Sequence, residues 1–372
     1  MKFTISRDDI LDVMANVQGL TGRKSSLAIT AAVLIQVEPD RIRVSATDLE
    51  TGLEGFYPAQ IESEGIIALN SRKLFEIVRD FPSQKINFVK GENRWVDIGD
   101  DHNKYHIAGM DPESFPQNPI FENIELFNID SGFFKKMIDK TVGIIGPADD
   151  KRAHILGVYL HTISGNDRNE LRMVSTDIGR LAKVDYTYGK NIQLPFKDGI
   201  LIPKKGLMEV SKFLKADGIV KIGVCENHFV LQKEEESFLI RLLEGDFPQY
   251  EQAIIKDTKY DMILDKKSFL WTLKRMSILA IDKYPAVLFT FNNGNLNIRS
   301  SSTEFGDSKE DMPVEYNREP MEVAYNPRYL IETLNVIEGE KVVINIRGKD
   351  TPCLIEEVED KNYLAAIMAM KV

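Results

Sequence analysis

Apolar and polar residues alternate along Arg41-Ile-Arg-Val-Ser-Ala-Thr-Asp48, and the alternation ends in a Thr-Asp pair. A period of two predicts a strand, and the Thr-Asp pair predicts a turn whose side-chain oxygens bond the backbone. The pattern returns as Leu171-Arg-Met-Val-Ser-Thr-Asp177, and in weaker form as Leu296-Asn-Ile-Arg-Ser-Ser-Ser-Thr-Glu304. The matched threonines Thr47, Thr176 and Thr303 stand 129 and 127 residues apart. Helical patterns recur on the same step: Asn70-Ser-Arg-Lys-Leu-Phe-Glu76, Pro203-Lys-Lys-Gly-Leu-Met-Glu209 and Asn326-Pro-Arg-Tyr-Leu-Ile-Glu332 each open on a helix-start residue and continue with apolar residues at helical spacing. The Phe-Pro pairs at 115–116 and 247–248 punctuate the chain 132 residues apart. A threefold internal repeat is the direct reading.

The periodicities predict helices over 6–18, 71–81, 130–145, 203–215, 265–280 and 326–337. Strands are expected around 29–37, 41–47, 52–69, 86–98 and 104–109 in the first unit. In the second they are expected around 155–162, 170–176, 180–187, 219–224, 228–233 and 238–243, and in the third around 286–292, 295–300, 311–324, 342–347, 352–357 and 363–371. Each unit is thus two successive helix-plus-strands halves. Strands that follow one another make antiparallel sheets, with the helices gathered on one face, so the class is α+β in three tandem domains at 1–120, 121–252 and 253–372. A chain of 372 residues suits that division better than one core.

Composition narrows the function. No apolar run approaches the ~20 residues that cross a bilayer, and the amino terminus reads as a strand. The two cysteines, Cys225 and Cys353, lie in strand-like runs, as expected of buried thiols in a cytoplasmic protein. Net charge is −10, which taken alone argues against nucleic acid. Its distribution argues otherwise, because the six predicted helices together carry a net positive charge and the remainder is strongly acidic. Helices ~10 Å apart give six of them a closed bore of only ~9 Å, whereas twelve, from two chains joined head to tail, leave ~28 Å, enough for a hydrated duplex.

Catalytic readings fail on spacing. Gly22-Arg-Lys-Ser25 lacks the earlier glycine of a phosphate loop, since Val17 stands there. His102 and His106, or Cys225 and His228, lie in strand or turn segments with no further ligands to complete a metal set. No catalytic residue, metal or cofactor is expected.

Thr47-Asp-Leu-Glu50, Ser175-Thr-Asp-Ile-Gly-Arg-Leu181, Ile202-Pro-Lys-Lys-Gly206, Gly245-Asp-Phe-Pro-Gln-Tyr250, Asn326-Pro-Arg-Tyr-Leu330 and the tail Ile367-Met-Ala-Met-Lys-Val372 follow one another in order. Over its whole length the chain resembles the bacterial replicative sliding clamps, the beta subunit of DNA polymerase III. The resemblance implies a non-catalytic homodimeric ring that encircles duplex DNA, with helices lining the bore and sheets outside, and that tethers polymerase for processive synthesis. Implied partners are duplex DNA, a second copy, the polymerase III alpha subunit, the clamp loader, and other polymerases and repair factors bearing short apolar peptide motifs. A sliding ring needs long-stemmed bases making weak phosphate contacts and no base readout; the candidates are Arg23, Lys24, Arg72, Lys73, Arg79, Lys204, Lys205, Lys212, Lys274 and Arg275.

The resemblance further implies a partner-peptide groove at Ile155, Thr176, Ile178, Gly179, Arg180, Leu181, Pro248, Asn326, Tyr329, Pro352 and the tail Met368, Ala369, Met370, Lys371 and Val372. It implies a dimer contact at Tyr105, Ile278 and Leu279. The chain departs from the family where Ile178-Gly179 replaces a frequent Gly-His, and where Met-Ala-Met-Lys-Val replaces Met-Pro-Met-Arg-Leu, which bears on peptide preference. The alternative function is a protein-binding scaffold that does not encircle DNA.

Overall fold

In the computed structural model, all residues are described except 22–26, 120–123, 145, 147–149, 166, 193, 197, 281–284 and 372. Among the described residues the principal helices are α1 (Arg7–Thr21), α2 (Ser71–Arg79), α3 (Ser131–Val142), a single turn α4 (Ala153–Leu156), α5 (Lys204–Phe213), α6 (Lys266–Met276) and α7 (Pro327–Asn335). All strand pairings are antiparallel, in sheets of five, eight, eight and four strands.

Every long helix is preceded by a short strand; the sequence pattern indicates those before α1, α2 and α7 and misses those before α3, α5 and α6. Lys2–Ser6 leads α1, Gly65–Asn70 leads α2, Phe127–Asp130 leads α3, Ile200–Pro203 leads α5, Asp261–Asp265 leads α6 and Met321–Tyr325 leads α7. The expected strand 52–69 is therefore three strands, Thr51–Pro58, Gln60–Ser63 and Gly65–Asn70, and the expected 311–324 is the end of one strand and the start of another. The expected 86–98 divides at the turn Gly91–Arg94, where Asn93 and Arg94 take φ of 50° and 64°. Runs of four to six residues are too short for their period to show against neighbouring strands.

The leading strands are exchanged between halves. Lys2–Ser6 pairs with Lys85–Lys90 of the second half, while Gly65–Asn70 pairs with Ala32–Val37 of the first. Phe127–Asp130 likewise pairs with Ile219–Cys225, and Asp261–Asp265 with Lys341–Asn345, while Met321–Tyr325 returns to Val287–Asn292. Each half thus completes its sheet with the other's strand. Repeats also join edge to edge: Glu236–Arg241 pairs with Thr51–Pro58, and Arg180–Gly189 pairs with Tyr363–Ile367.

Side-chain caps start the helices where the sequence offers Asn or Asp. The Oδ1 atoms of Asn70, Asp130, Asp265 and Asn326 accept from the backbone N–H of Lys73, Phe133, Ser268 and Arg328 at 3.0, 2.7, 2.7 and 3.0 Å. Apolar residues at helical spacing, such as Ile10, Val13, Met14 and Val17 of α1, form the core against the sheets.

By their contacts the residues fall into two compact units, Met1–Lys135 with Gln193–Lys197 and Ile202–Leu242, and Lys136–Ile192 with Asp198–Leu201 and Leu243–Val372. In the first, α1 packs on α2 and α5; in the second, α6 packs on α7.

Candidate functional site

Two copies of the repeat match at atomic scale in their turns. Thr47 Oγ1 donates to the carbonyl of Thr51 at 3.1 Å and accepts from the N–H of Leu49, while Asp48 Oδ1 accepts from the N–H of Thr51 at 2.7 Å. Thr176 Oγ1 does the same with the carbonyl of Arg180 at 2.8 Å and the N–H of Ile178, and Asp177 Oδ1 accepts from the N–H of Arg180. Both turns hold a non-glycine residue in the left-handed region, Leu49 and Ile178 each at φ 77°. That conformation is costly for a β-branched residue, so the surrounding hydrogen bonds must impose it. The outcome is an isoleucine pushed into solvent, 56% exposed.

Within the second unit this turn brings together Thr176, Ile178, Gly179, Arg180, Tyr329 and Met368 of the expected groove. Arg180 is buried; its Nε donates to Asp177 Oδ2 at 2.9 Å, its Nη1 to Glu332 Oε2 at 2.5 Å, and its guanidinium lies 4.3 Å from the centre of the Tyr329 ring. Tyr329 also closes on Gly179, where an added Cβ would come within 3.0 Å of its ring. Burial pushes the Tyr329 hydroxyl above its ordinary range. The carboxyl-terminal strand runs beside Arg180–Val184, after which the N–H of Met368 donates to the carbonyl of Gly179 at 2.9 Å and that of Met370 to Ala324 at 2.8 Å. Asn326 caps α7, and Pro352 precedes the strand whose Cys353 pairs with Ile367.

Other expected groove residues sit deeper. Ile155 and Leu181 are buried, Leu181 in a cluster with Val174, Tyr250, Leu354, Leu364 and Ala366. Pro248 is exposed beside Phe247, whose ring stacks on Tyr159 at 4.9 Å. Lys371 is exposed, Ala369 is half-buried, and Val372 lies outside the described residues. Asp177 and Glu332, the carboxylates that hold Arg180, were not singled out from sequence. Both stand inside the repeated motifs, which is the signal that could have found them.

Six of the basic candidates are engaged by carboxylates. On α2, Arg72 and Lys73 both reach Glu76, at 3.1 and 2.9 Å, and Arg79 grips Asp80 through two bonds of 3.0 and 2.9 Å. Hydrogen bonds from Lys73 and Arg72 hold the Glu76 carboxyl below the usual range, and the bond from Arg79 does so for Asp80. Lys205 meets Asp48 at 2.5 Å, Lys212 meets Glu209 at 2.9 Å, and Arg275 is bidentate on Glu310 at 2.9 and 2.5 Å. Lys274 has its ammonium 5.0 Å from the Trp271 ring centre. Lys204 is buried, 7% exposed, and Arg23 and Lys24 lie outside the described residues.

Tyr105 is exposed on the edge strand Lys104–Ala108 of the five-stranded sheet in the first unit. Ile278, 66% exposed, and the half-buried Leu279 follow α6 in the second. His106 is engaged by Asp97 at 2.7 Å and stacked on Trp95. Among the described residues no group of three or more His, Cys, Asp or Glu could hold a metal ion, and no helix is long and apolar enough to cross a membrane.

Comparison with known proteins matches three consecutive family models: the DNA polymerase III beta subunit N-terminal domain over residues 1–119, central domain over 128–249, and C-terminal domain over 251–371. A beta sliding clamp of Pseudomonas aeruginosa is 26% identical, with both chains covered in full, and one of Caulobacter vibrioides is likewise 26% identical. Among solved structures, the Bacillus subtilis DNA polymerase sliding clamp superposes with a TM-score of 0.92 at 24% identity, over 100% of this chain and 99% of that one. The Pseudomonas aeruginosa clamp solved bound to griselimycin gives 0.91 at 26% identity, with full coverage of both chains. These matches span the whole repeat. The chain belongs to the DNA polymerase III beta subunit family, the sliding clamps, which are non-catalytic processivity subunits of the replicative polymerase.

Proposed function

We propose that two copies of this chain close head to tail into a ring around duplex DNA, joined through Tyr105 of one and Ile278 and Leu279 of the other. The domains divide at 1–120, 121–252 and 253–372, and the protein works in the cytoplasm. DNA and polymerase are the partners that family membership implies. The finer reading adds the polymerase III alpha subunit, the clamp loader, and other polymerases and repair factors, each docking through a short apolar peptide.

The observation that carries the ring is the sixfold strand–helix–strand module, which gives every half-domain one helix to contribute to a common lining. Arg72, Lys73, Arg79, Lys205, Lys212, Lys274 and Arg275 are the bases we assign to DNA, together with Arg23 and Lys24; Lys204, being buried, supports the fold of α5 as well. Bases already paired with carboxylates bind phosphate weakly, which suits a ring that slides: topology, not affinity, retains the duplex. The peptide groove is assigned to the surface around Ile178, Gly179, Tyr329, Pro248, Met368 and Met370, with Arg180 fixing its wall. Thioether side chains and an exposed isoleucine suit apolar anchors of varied shape.

The test is retention on DNA. The protein is loaded onto nicked circular plasmid with a clamp loader and ATP, washed at high salt, and half the sample is linearised. Retention on circles and loss from linear DNA is expected; equal loss from both would exclude encirclement, because phosphate contacts fade with salt irrespective of topology.

A further inference from the structure

α6 presents a face whose composition the clamp function does not require. Phe269, Thr272, Leu273 and Met276 are its buried side. Lys267, Trp271 and Lys274, spaced four and three apart, share another side. Trp271 is 52% exposed, although an indole is among the largest apolar surfaces a side chain can offer and a solvated helix position is ordinarily filled by a flexible polar residue. The helix carries Lys266, Lys267, Lys274 and Arg275 and no acidic residue. Two of these charges are committed: Lys266 donates to the carbonyl of Ile337 at 2.7 Å, and Arg275 is held by Glu310. Among the described residues, neither Lys267 nor Lys274 has a carboxylate partner. Lys274 instead lies over the indole, its ammonium 5.0 Å from the ring centre.

We infer that Trp271, flanked by Lys267 and Lys274, is a stacking platform for an unpaired nucleotide of single-stranded DNA. Lys267 and Lys274 leave the helix ~10 Å apart along its axis, one on either side of Trp271, so their long stems can reach the phosphates that flank a stacked base once the Lys274 ammonium swings off the ring. Charge complementarity selects a polyanionic strand, and the aromatic face selects one whose bases are free. In a duplex the base faces are occupied by their neighbours, so an indole meets only groove edges and backbone. A sliding surface with this platform passes over duplex and pauses at unpaired template. The inference rests on the reading above that α6 faces the DNA.

Trp271 is one of only two tryptophans, so the full chain carrying Trp95→Phe reports on it by fluorescence. Titration with a 20-nucleotide oligo(dT) at low salt is expected to quench the emission, while a blunt 20-base-pair duplex leaves it nearly unchanged. Trp271→Ala is expected to weaken oligo(dT) binding roughly tenfold, and Trp271→Phe to restore much of it, since a smaller ring still stacks. Equal oligo(dT) affinity of wild type and Trp271→Ala would overturn the proposal. So would equal quenching by the duplex, or by poly-glutamate, which would reduce the face to a site for anions. Failure of the wild-type chain to stay on circular plasmid would sink the ring reading instead; unchanged oligo(dT) binding by Trp271→Ala with normal plasmid retention would sink this one alone.

Discussion

Arg180 shows how one side chain can be both wall and support. Its guanidinium satisfies a carboxylate on its own turn, Asp177, and one on α7, Glu332, while its flat face covers Tyr329. Asp177 is buried, so removing the arginine leaves a buried charge unpaired. Arg180→Ala is expected to destabilise the second unit by about 3 kcal/mol, read from urea denaturation, with loss of peptide binding in the same variant. His161 behaves differently. Its Nε2 meets Tyr250 Oη at 2.8 Å, and the groups facing it are Tyr159, Arg172, Asp185, Tyr250 and Glu251. Burial, then the Arg172 charge, hold its imidazolium pKa below the ordinary value. Below about pH 6.5 the unfolded chain therefore binds a proton that the folded chain resists. Stability falls as pH drops through that window and levels off once the folded imidazole is protonated too. His228 is shifted in the same direction, again chiefly by burial. Melting temperatures between pH 7.5 and 5.5 should fall for the wild type and fall less for His161→Gln.

At the scale of the element, the helices matter for how their charges are spent. α2 offers three bases, yet Glu76 and Asp80 answer all three. Neutralising those carboxylates, as Glu76→Gln with Asp80→Asn, should raise affinity for nonspecific duplex several-fold at low salt and steepen the salt dependence by one to two phosphate contacts at most. Titrating fluorescent duplex across a salt series reads both quantities, and an unchanged slope would place α2 away from DNA. The helices were legible in the sequence, because nine or more residues reveal a 3.6-residue period and Asn or Asp caps mark four of the six starts. The leading strands before α3, α5 and α6 were not, since four or five residues are too few to show a period and their partners lie elsewhere in the chain.

For the molecule as a whole, the proposed function gives two surfaces separate tasks. Among the described residues the tail after Ile367 adds the backbone bonds of Met368 to Gly179 and of Met370 to Ala324, and its removal leaves the sheet pairing of Tyr363–Ile367 in place. Deleting Met368 to Val372 should abolish partner-peptide binding and leave the dimer intact by sedimentation. Ile278→Asp should do the reverse, giving folded monomers that still bind peptide, since an exposed side chain contributes little to its own unit. A dimer lost along with the tail would refute the division.

What the sequence determined by itself is the threefold repeat, the α+β class, the order of the helices, and the turns at Thr47 and Thr176. All of these rest on local periods and on side chains bonding backbone two to four residues away. The groove needed more than the chain's own pattern: its residues were named by likeness to a family, and Ile155 and Leu181 alone look like core. Only the tertiary structure decided that Gly179, Tyr329 and Met368 meet, that Glu332 answers Arg180 from 152 residues away, and that the leading strands cross between halves. The physical reason is common to all three. Pairing across such separations is set by which edge remains open once each half-sheet has formed, and no local period records that.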